Sequence, residues 1–278
     1  MPVADTARAD GRETRSAFSR NAWRSGWLHL RRILLPTLLG VAVLALWHIA
    51  VTRGSVSPII LPPPSRVLGT LWANLPLLRE HGYYSAFEAL AALAISSALG
   101  LLLALVISTS RVVRAAVYPN LLVFELVPKI ALAPLFIIWV GTGSESRLLF
   151  ATFLAFFPVL VATLAGLRAT DPMLVRLCQA LGASGWQTFS QLRLPYALPY
   201  VFSGLKIASV MAMIGIIVGE FITGNQGLGY ITMFAASNME TSLMLAAIML
   251  LCIVGVALYG LVAVAESLIN RRYGRPRS

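Results

Sequence analysis

Long apolar segments recur along this chain, and they limit what it can fold into. They lie near residues 33–51, 86–108, 117–140, 147–166, 199–221 and 242–269. A helix of about 20 apolar residues crosses the hydrocarbon core of a bilayer. Helices also satisfy their own backbone hydrogen bonds, which lipid cannot do for them. With 58% hydrophobic and 12% charged residues, the sequence predicts an all-α membrane protein with six transmembrane helices.

The basic residues favour one orientation of these helices. The net charge is +11, and arginines crowd the chain before the first span and after the last. Positive residues stay on the cytoplasmic side, so we expect both termini to be cytoplasmic. Only the first outer loop departs from this pattern, with Arg53, Arg66 and Arg79. Because no soluble domain remains to carry a basic surface, we interpret the charge as topology and expect no nucleic-acid partner.

The spans divide the chain into three regions. Residues 1–32 are rich in Arg, Ala and Ser and predict a disordered basic cytoplasmic tail, and residues 271–278 predict a second cytoplasmic tail. Residues 33–270 then form the six-helix transmembrane domain. The first span is too long for a signal peptide and lacks a small-residue cleavage pattern, so we expect it to remain as an anchor. After a proline-rich run at 61–64, residues 65–80 predict an amphipathic helix at the outer interface.

A polar insert at residues 171–195 interrupts the apolar pattern and predicts a helical hairpin on the cytoplasmic side. Asp171 stands before a proline, which is a helix-start signal, and Gly182 stops that first helix. Ser184 opens the S-x-x-Q pattern of a capping box, so a second helix can begin there. We expect Pro195 to end it. The insert therefore predicts two short helices hinged at a glycine.

Each predicted helix of this insert has an apolar face. The apolar positions are Met173, Leu177 and Leu181 on the first helix, and Trp186, Phe189 and Leu192 on the second. An amphipathic hairpin too short and polar to cross the bilayer is suited to a groove in another protein. The alternative is a loop that rests on the membrane surface, and periodicity alone does not separate the two interpretations.

The residues that catalysis or nucleotide binding would need are missing from the sequence. None of the three histidines stands at metal-ligand spacing from another histidine or from a cysteine, so we expect no metal site. The only lysines, Lys129 and Lys206, lie outside any G-x-x-x-x-G-K-[ST] loop. The glycine-rich run at 224–229 has no strand before it and predicts a turn or re-entrant loop. We expect no catalytic residue and no cofactor; if ATP drives this protein, another chain binds it.

A few charged residues fall inside the spans, where unpaired charge is costly. Glu125 and Lys129 stand four apart in the third span and are expected on one helix side. Either they neutralise each other, or they line a path for an anionic or polar solute. Pro128 and Pro134 break the regular hydrogen bonding of this span, which a membrane tolerates only beside protein or a cavity. This adds support to the path, while mutual neutralisation stays the preferred interpretation.

Small residues and two further glutamates mark the last two spans. Gly215 and Gly219 form the close-packing pattern G-x-x-x-G, which predicts helix packing rather than ligand binding, and this packing could include the face of a dimer. Glu220, near the outer end of the fifth span, either lines a translocation gate or caps a structural contact. Glu266 lies near the inner end of the last span, and we expect it to reach toward the arginines that follow.

The hairpin resembles the EAA motif of ATP-binding-cassette importer permeases of the nitrate, sulfonate and taurine type. That motif has a glycine, nine residues, a hydrophobic residue, any residue and then Leu-Pro; the matching positions are Gly182, Leu192, Leu194 and Pro195. The Glu-Ala-Ala triplet is absent, because its places are taken by Arg176, Leu177 and Cys178. Other similar stretches lie at 61–67, 133–141, 156–159, 219–221 and 227–230.

The resemblance implies a pore-forming subunit in a bacterial inner membrane. Its partners would be a second permease copy, a cytoplasmic ATPase dimer and an external binding protein that delivers a small solute. That solute would be a sulfonate, nitrate, taurine, bicarbonate or a vitamin precursor. The hairpin would dock in the ATPase groove, through the residues Gly182, Ala183, Ser184, Trp186, Phe189, Leu194 and Pro195, with the two aromatic rings serving either as groove anchors or as packing against the span bases.

Two other functions are alternatives, and the sequence supports each of them less than it supports a permease. A self-contained secondary transporter or channel needs a polar relay across several spans and inverted repeats. Only Glu125, Lys129 and Glu220 are candidates for such a relay, and no repeat is evident. An enzyme embedded in the membrane would need a nucleophile with a base, or a metal cluster, and the sequence has neither pattern.

Overall fold

The computed structural model describes residues 34–54 and 57–273, and every regular element in these two ranges is helical. The first helix is α1, Leu34–Thr52. The others are α2 (Pro64–Ala73), α3 (Leu75–Thr109), α4 (Arg111–Leu126), α5 (Ala133–Val140), α6 (Ser144–Arg168), α7 (Pro172–Ala180), α8 (Gly185–Thr188), α9 (Leu194–Thr223), α10 (Leu228–Ser237) and α11 (Thr241–Tyr273). The predicted tail at 1–32 and residues 274–278 lie outside the described residues.

The lengths of these helices confirm the all-α membrane fold. Among the described residues, five helices are long and apolar enough to cross a bilayer, and a sixth crossing results if the bent pair Ala115–Leu126 and Lys129–Val140 counts as one span. These helices coincide with the six predicted segments. The amphipathic helix expected over residues 65–80 is shorter, because α2 ends at Ala73 and α3 begins at Leu75 with a proline in its first turn.

The chain separates into one unit that ends at Arg66 and a second that begins at Val67. In the first unit, Trp47 Nε1 of α1 donates to the backbone carbonyl of Pro62 at 3.1 Å. This bond holds the proline-rich segment against α1. The other helices that matter for function, α3 to α11, belong to the second unit.

Helices α6 and α9 pack closely along much of their length through small residues. A Cβ added at Gly215 would lie 2.5 Å from the Cα of Ala151, and one at Gly219 would lie 2.8 Å from the Cγ of Arg147. Close packing of this kind is how helices associate where lipid removes the hydrophobic drive. The predicted G-x-x-x-G contact is therefore made inside the chain, against α6.

The third span is broken in its middle. Near its start, Tyr118 of α4 stacks against the guanidinium of Arg168, at the C-terminal end of α6. Beyond the break, Phe136 of α5 packs against Phe150 and Phe153, in the N-terminal half of α6. The two halves meet at 84°, and the break lies opposite the middle of α6.

Helix α10 is too short to cross a bilayer. Its 10 residues rise about 15 Å, half of the hydrocarbon thickness. It follows α9 after a turn in which Gly224 adopts the left-handed conformation with φ 58°. The run at 224–229, predicted to be a turn or re-entrant loop, forms this turn and the first two residues of α10, which begins at Leu228.

Candidate functional site

The hairpin at residues 171–195 begins and turns through local hydrogen bonds. Asp171 Oδ1 accepts from the backbone N–H of Met173 at 2.8 Å. At the other end of α7, Gly182 has φ +80°. Its N–H donates to the Gln179 carbonyl, and the next N–H, that of Ala183, donates to the Cys178 carbonyl. This pair of bonds is a Schellman motif, which requires a left-handed residue at the position Gly182 occupies.

The capping box at the hairpin's second arm has both of its bonds. Gln187 N–H donates to Ser184 Oγ at 3.2 Å, and Ser184 N–H donates to Gln187 Oε1 at 2.7 Å. Two amides of the first turn are thereby satisfied. The tip between α7 and α8 is consequently only a few residues long and has a defined shape.

The second arm does not end at Pro195, and this part of the prediction is wrong. A π-helical turn at Phe189–Arg193 joins α8 to α9, with Leu194 N–H donating to the Phe189 carbonyl. A widened turn accommodates a proline that has no N–H to give, and Pro195 stands in the first turn of α9. One helix of 39 residues, Gly185–Thr223, therefore connects the tip with the opposite end of the bundle.

The hairpin presents apolar side chains to its surroundings. Met173, Leu181 and Trp186 are 76%, 78% and 73% exposed. Trp186 stacks on the half-buried ring of Phe189, with the ring centroids 5.7 Å apart. Of the two roles expected for Trp186, the structure does not show packing against the bases of the spans. Exposed apolar groups gathered on one polar segment mark an interaction surface.

At the opposite end of the bundle, the structure brings together charged residues that the sequence reading did not connect. Arg147 Nε and Nη2 donate to the two carboxylate oxygens of Glu88 at 2.9 and 2.6 Å. Arg147 Nη1 donates to Thr223 Oγ1 at 3.1 Å. All three side chains are buried. Buried charge is tolerated when it is paired and hydrogen-bonded in this way, so this group ties α3, α6 and α9 together.

Glu220 lies next to this pair and binds the start of α10. Its Oε1 accepts from Ser85 Oγ at 2.6 Å, and its Oε2 accepts from the Gly229 N–H at 2.7 Å. Ser85 Oγ in turn accepts from the Leu228 N–H at 2.9 Å. A carboxylate suits the N-terminus of a helix, where free amides and the helix dipole favour negative charge. Of the two roles predicted for Glu220, gate lining and structural cap, this geometry matches the structural cap.

A third residue completes this arrangement, which we call the anchor cluster: His81, Ser85, Glu220 and the first turn of α10. The Gly227 N–H donates to His81 Nδ1 at 3.0 Å. A Cβ at Gly229 would meet Glu220 Oε2 at 2.7 Å, so the carboxylate occupies the space that a side chain would need. Gly227 and Gly229 thus allow the Glu220 carboxylate to approach the backbone closely.

One sequence signal pointed to this end of the bundle. Glu88 and Arg147 are opposite charges, each near the start of a predicted span, and a charge inside a span seeks a partner. Their pairing was not readable, because 59 residues separate them. His81 and Ser85 carried no signal of their own, since their bonds go to backbone amides more than 140 residues away.

Glu125 and Lys129 are not neighbours on one helix, so that expectation is wrong. Helix α4 ends at Leu126, because Val127 is extended, with ψ 133°, before Pro128. Lys129 Nζ donates to the backbone carbonyl of Glu125 at 3.3 Å and lies 4.8 Å from the centroid of the Phe157 ring. The Glu125 side chain is exposed.

Glu266 also has a different partner from the one expected. Its Oε2 accepts from Lys206 Nζ at 2.5 Å, and the pair joins α11 to α9. The arginines after the span are nearer in sequence, but helix packing places Lys206 at the same level as Glu266. In the described ranges, no three His, Cys, Asp or Glu side chains gather as a metal site.

Comparison with known proteins identifies the family to which this chain is similar. The family model described as binding-protein-dependent transport system inner membrane component matches residues 96–271. A probable ABC transporter permease protein of Haemophilus influenzae is 34% identical over 82% of this chain and 93% of its own. A formylaminopyrimidine transport permease of Halalkalibacterium halodurans is 32% identical over 85% and 94%. The taurine transport system permease of Escherichia coli is 31% identical over 84% and 87%.

A solved structure has the same fold. It is an inward-facing form of the MetNI methionine ABC transporter, with a TM-score of 0.53 and 22% identity, over 68% of this chain and 94% of that chain. At this identity the likeness concerns the fold alone.

Proposed function

This chain belongs to the family of binding-protein-dependent transport system inner membrane components, and on that premise we propose how it couples ATP hydrolysis to solute movement. It is the multi-pass membrane subunit of an ABC transporter. We propose that the hairpin at 171–195 docks in a groove of a cytoplasmic ATPase dimer, which carries out the hydrolysis. The solute comes from an external binding protein, and a second copy of this chain completes the path.

The observation that carries this proposal is the joint between the hairpin and α9. The tip exposes apolar side chains, of which Leu181 and Trp186 are more than 70% exposed. From Gly185 the helix runs without a break to Thr223, about 60 Å at 1.5 Å per residue. A helix transmits displacement along its axis, so movement of the tip by an ATPase reaches the far end of the bundle.

The anchor cluster supports the same mechanism at that far end. Glu220 holds the first turn of α10, and Arg147 links Glu88 to Thr223 at the end of α9. Displacement of α9 would therefore carry α3, α6 and α10 with it as a group. In this proposal Glu220 shapes the outer gate by holding α10, with no direct contact to the solute. The change between inward-open and outward-open states is then a movement of packed helices against one another.

The topology in this proposal follows the positive-inside rule. The hairpin faces the cytoplasm, and so do both termini, with cytoplasmic tails at 1–32 and 271–278 around the transmembrane domain at 33–270. The end of the bundle that contains the anchor cluster then faces the outside, on the side of the binding protein.

The solute we propose is a small organic molecule or anion. Relatives of this chain are named for transport of taurine, aliphatic sulfonates, riboflavin and formylaminopyrimidine. These names cover sulfonates and vitamin-related heterocycles. The external binding protein would select among such solutes.

The experiment is co-purification and uptake with the partner ATPase. Trp186→Ser and Leu181→Ser should reduce both the ATPase retained by the permease and the ATP-driven uptake in proteoliposomes. Met239→Ser is the matched control, because Met239 is 78% exposed but lies beyond α10, at the other end of α9. Full retention of the ATPase by both hairpin variants would reject the docking surface. Uptake without ATPase, driven by an ion gradient, would favour a secondary transporter instead.

A further inference from the structure

Lys129 lies deep in the membrane-spanning bundle. Its ammonium group is 4.8 Å from the centroid of Phe157, a residue near the middle of the span Ser144–Arg168. The break just before Lys129 is also opposite the middle of α6, because α4 contacts α6 near its end, at Arg168, and α5 contacts its N-terminal half, at Phe150. The ammonium group is therefore far from both membrane surfaces.

The partners of this ammonium group leave part of its bonding capacity unused. A lysine ammonium has three N–H donors. The structure gives it one hydrogen bond, to the Glu125 carbonyl at 3.3 Å, and a cation–π contact with Phe157. The residue is half-buried, while Glu125 is exposed. The other lysine of the chain, Lys206, is bound directly to the carboxylate of Glu266.

Charges at this depth are unfavourable against lipid. Ionisable groups inside spans face the interior of a bundle or a watery cavity, and broken helices occur at this depth where they line such a space. Glu125 and Lys129 combine both features within five residues. They point to a polar space beside the break in the third span.

From this geometry we infer that Lys129 binds the anionic group of the transported solute at the break. The inference rests on the proposed function, because it assumes that the break borders the translocation path. The ammonium supplies the positive charge and its free donors, and the ring of Phe157 helps to position it. The solute class is a small organic monoanion with a sulfonate or carboxylate group. The exposed carboxylate of Glu125 would repel a second negative charge, so inorganic dianions bind poorly.

Because Lys129 and Lys206 are the only lysines, the rate of amine labelling at Lys129 can be measured separately and compared with that at Lys206. The full-length permease with its ATPase, in lipid nanodiscs, is treated with formaldehyde and cyanoborohydride, and methylation of each lysine is followed by mass spectrometry. Sodium methanesulfonate should slow methylation of Lys129 by about two- to fivefold, as expected for an ion pair in contact with water, here in the polar space beside the break. Sodium sulfate at the same ionic strength should slow it much less, and Lys206 should not respond to either salt.

The variant Glu125→Gln tests whether the Glu125 carboxylate excludes dianions. Without this charge, sulfate should also slow the methylation of Lys129. A Lys129 that only caps the C-terminus of α4 would be methylated at the same rate with and without methanesulfonate, and that result overturns the inference. So would equal protection by both salts in the unmodified chain, a parallel response of Lys206, or a Lys129 that the reagent never reaches. ATP-driven uptake is measured with the same complex reconstituted in proteoliposomes and supplied with its external binding protein. Uptake without protection rejects this site alone, whereas absence of ATP-driven uptake rejects the proposed function.

Discussion

The hydroxyl of Ser85 donates to the carboxylate of Glu220 over 2.6 Å, although the two residues are 135 positions apart. The same oxygen accepts the N–H of Leu228. One small side chain of α3 therefore bridges the end of α9 and the beginning of α10. Its burial makes the consequences measurable.

Ser85→Ala should destabilise the protein. The change leaves the Leu228 N–H without its acceptor and Glu220 with one donor fewer, and an unsatisfied buried group costs about 1–3 kcal/mol. The apparent melting temperature in detergent, followed by tryptophan fluorescence, should fall. Ser108→Ala is the control, because the half-buried Ser108 donates only to a carbonyl of its own helix. Equal shifts in the two variants would contradict the bridging role.

Breaking the Glu88–Arg147 pair should cost more than removing both partners. Glu88→Leu or Arg147→Met leaves one buried charge alone, at a cost of about 3–5 kcal/mol. The double variant should recover a large part of that loss, since no isolated charge remains. A double-mutant cycle on thermal or denaturant stability measures the coupling. Additive losses would show that the two side chains act independently.

Gly182→Ala should weaken coupling without preventing membrane insertion. A residue with a Cβ pays about 1–2 kcal/mol in the left-handed conformation that Gly182 adopts with φ +80°. The hairpin tip would be distorted, so the solute transported per ATP hydrolysed should fall, and a bulky residue should lower it further. Gly185→Ala is the matched control. It lies in open space too, and its backbone is not left-handed. Unchanged coupling in Gly182→Ala would argue against a hinge at this position.

Gly215→Val should separate α6 from α9. Its Cβ would lie 2.5 Å from the Cα of Ala151, so backbone must move, and overpacking of this kind costs about 1–3 kcal/mol or more. Yield of folded protein and melting temperature should both drop. Gly260→Val, in α11, meets nothing within 4 Å and should be tolerated. A contact made only between two copies would instead leave monomer stability unchanged and weaken dimerisation.

Properties that depend on a few neighbouring residues were predictable from the sequence. The bends at Pro128 and Gly182 and the capping box at Ser184 follow from residues within one or two turns. The span positions follow from the length of the apolar runs. The wrong prediction at Pro195 also has a local cause: proline commonly ends a helix, but the π turn at Phe189–Arg193 carries the helix past it.

The charged contacts could not be read in the same way. Proximity in the sequence predicts that Glu125 pairs with Lys129 and that Glu266 pairs with the arginines that follow it. The structure gives Lys129 a backbone carbonyl and gives Glu266 the ammonium of Lys206, 60 residues away. A charge inside a bundle is stabilised by whichever partner lies at its depth on a neighbouring helix.

By itself, the sequence determined that this chain crosses a membrane as helices, where those helices lie and where the hairpin turns. These outcomes follow from burial of apolar side chains in lipid and from local backbone geometry. Only the tertiary structure decided that Glu220, Ser85 and His81 hold α10, that Arg147 pairs with Glu88, and that one helix joins the hairpin tip to this cluster. Hydrogen bonds between distant helices exist only once close packing at the glycines has brought those helices together.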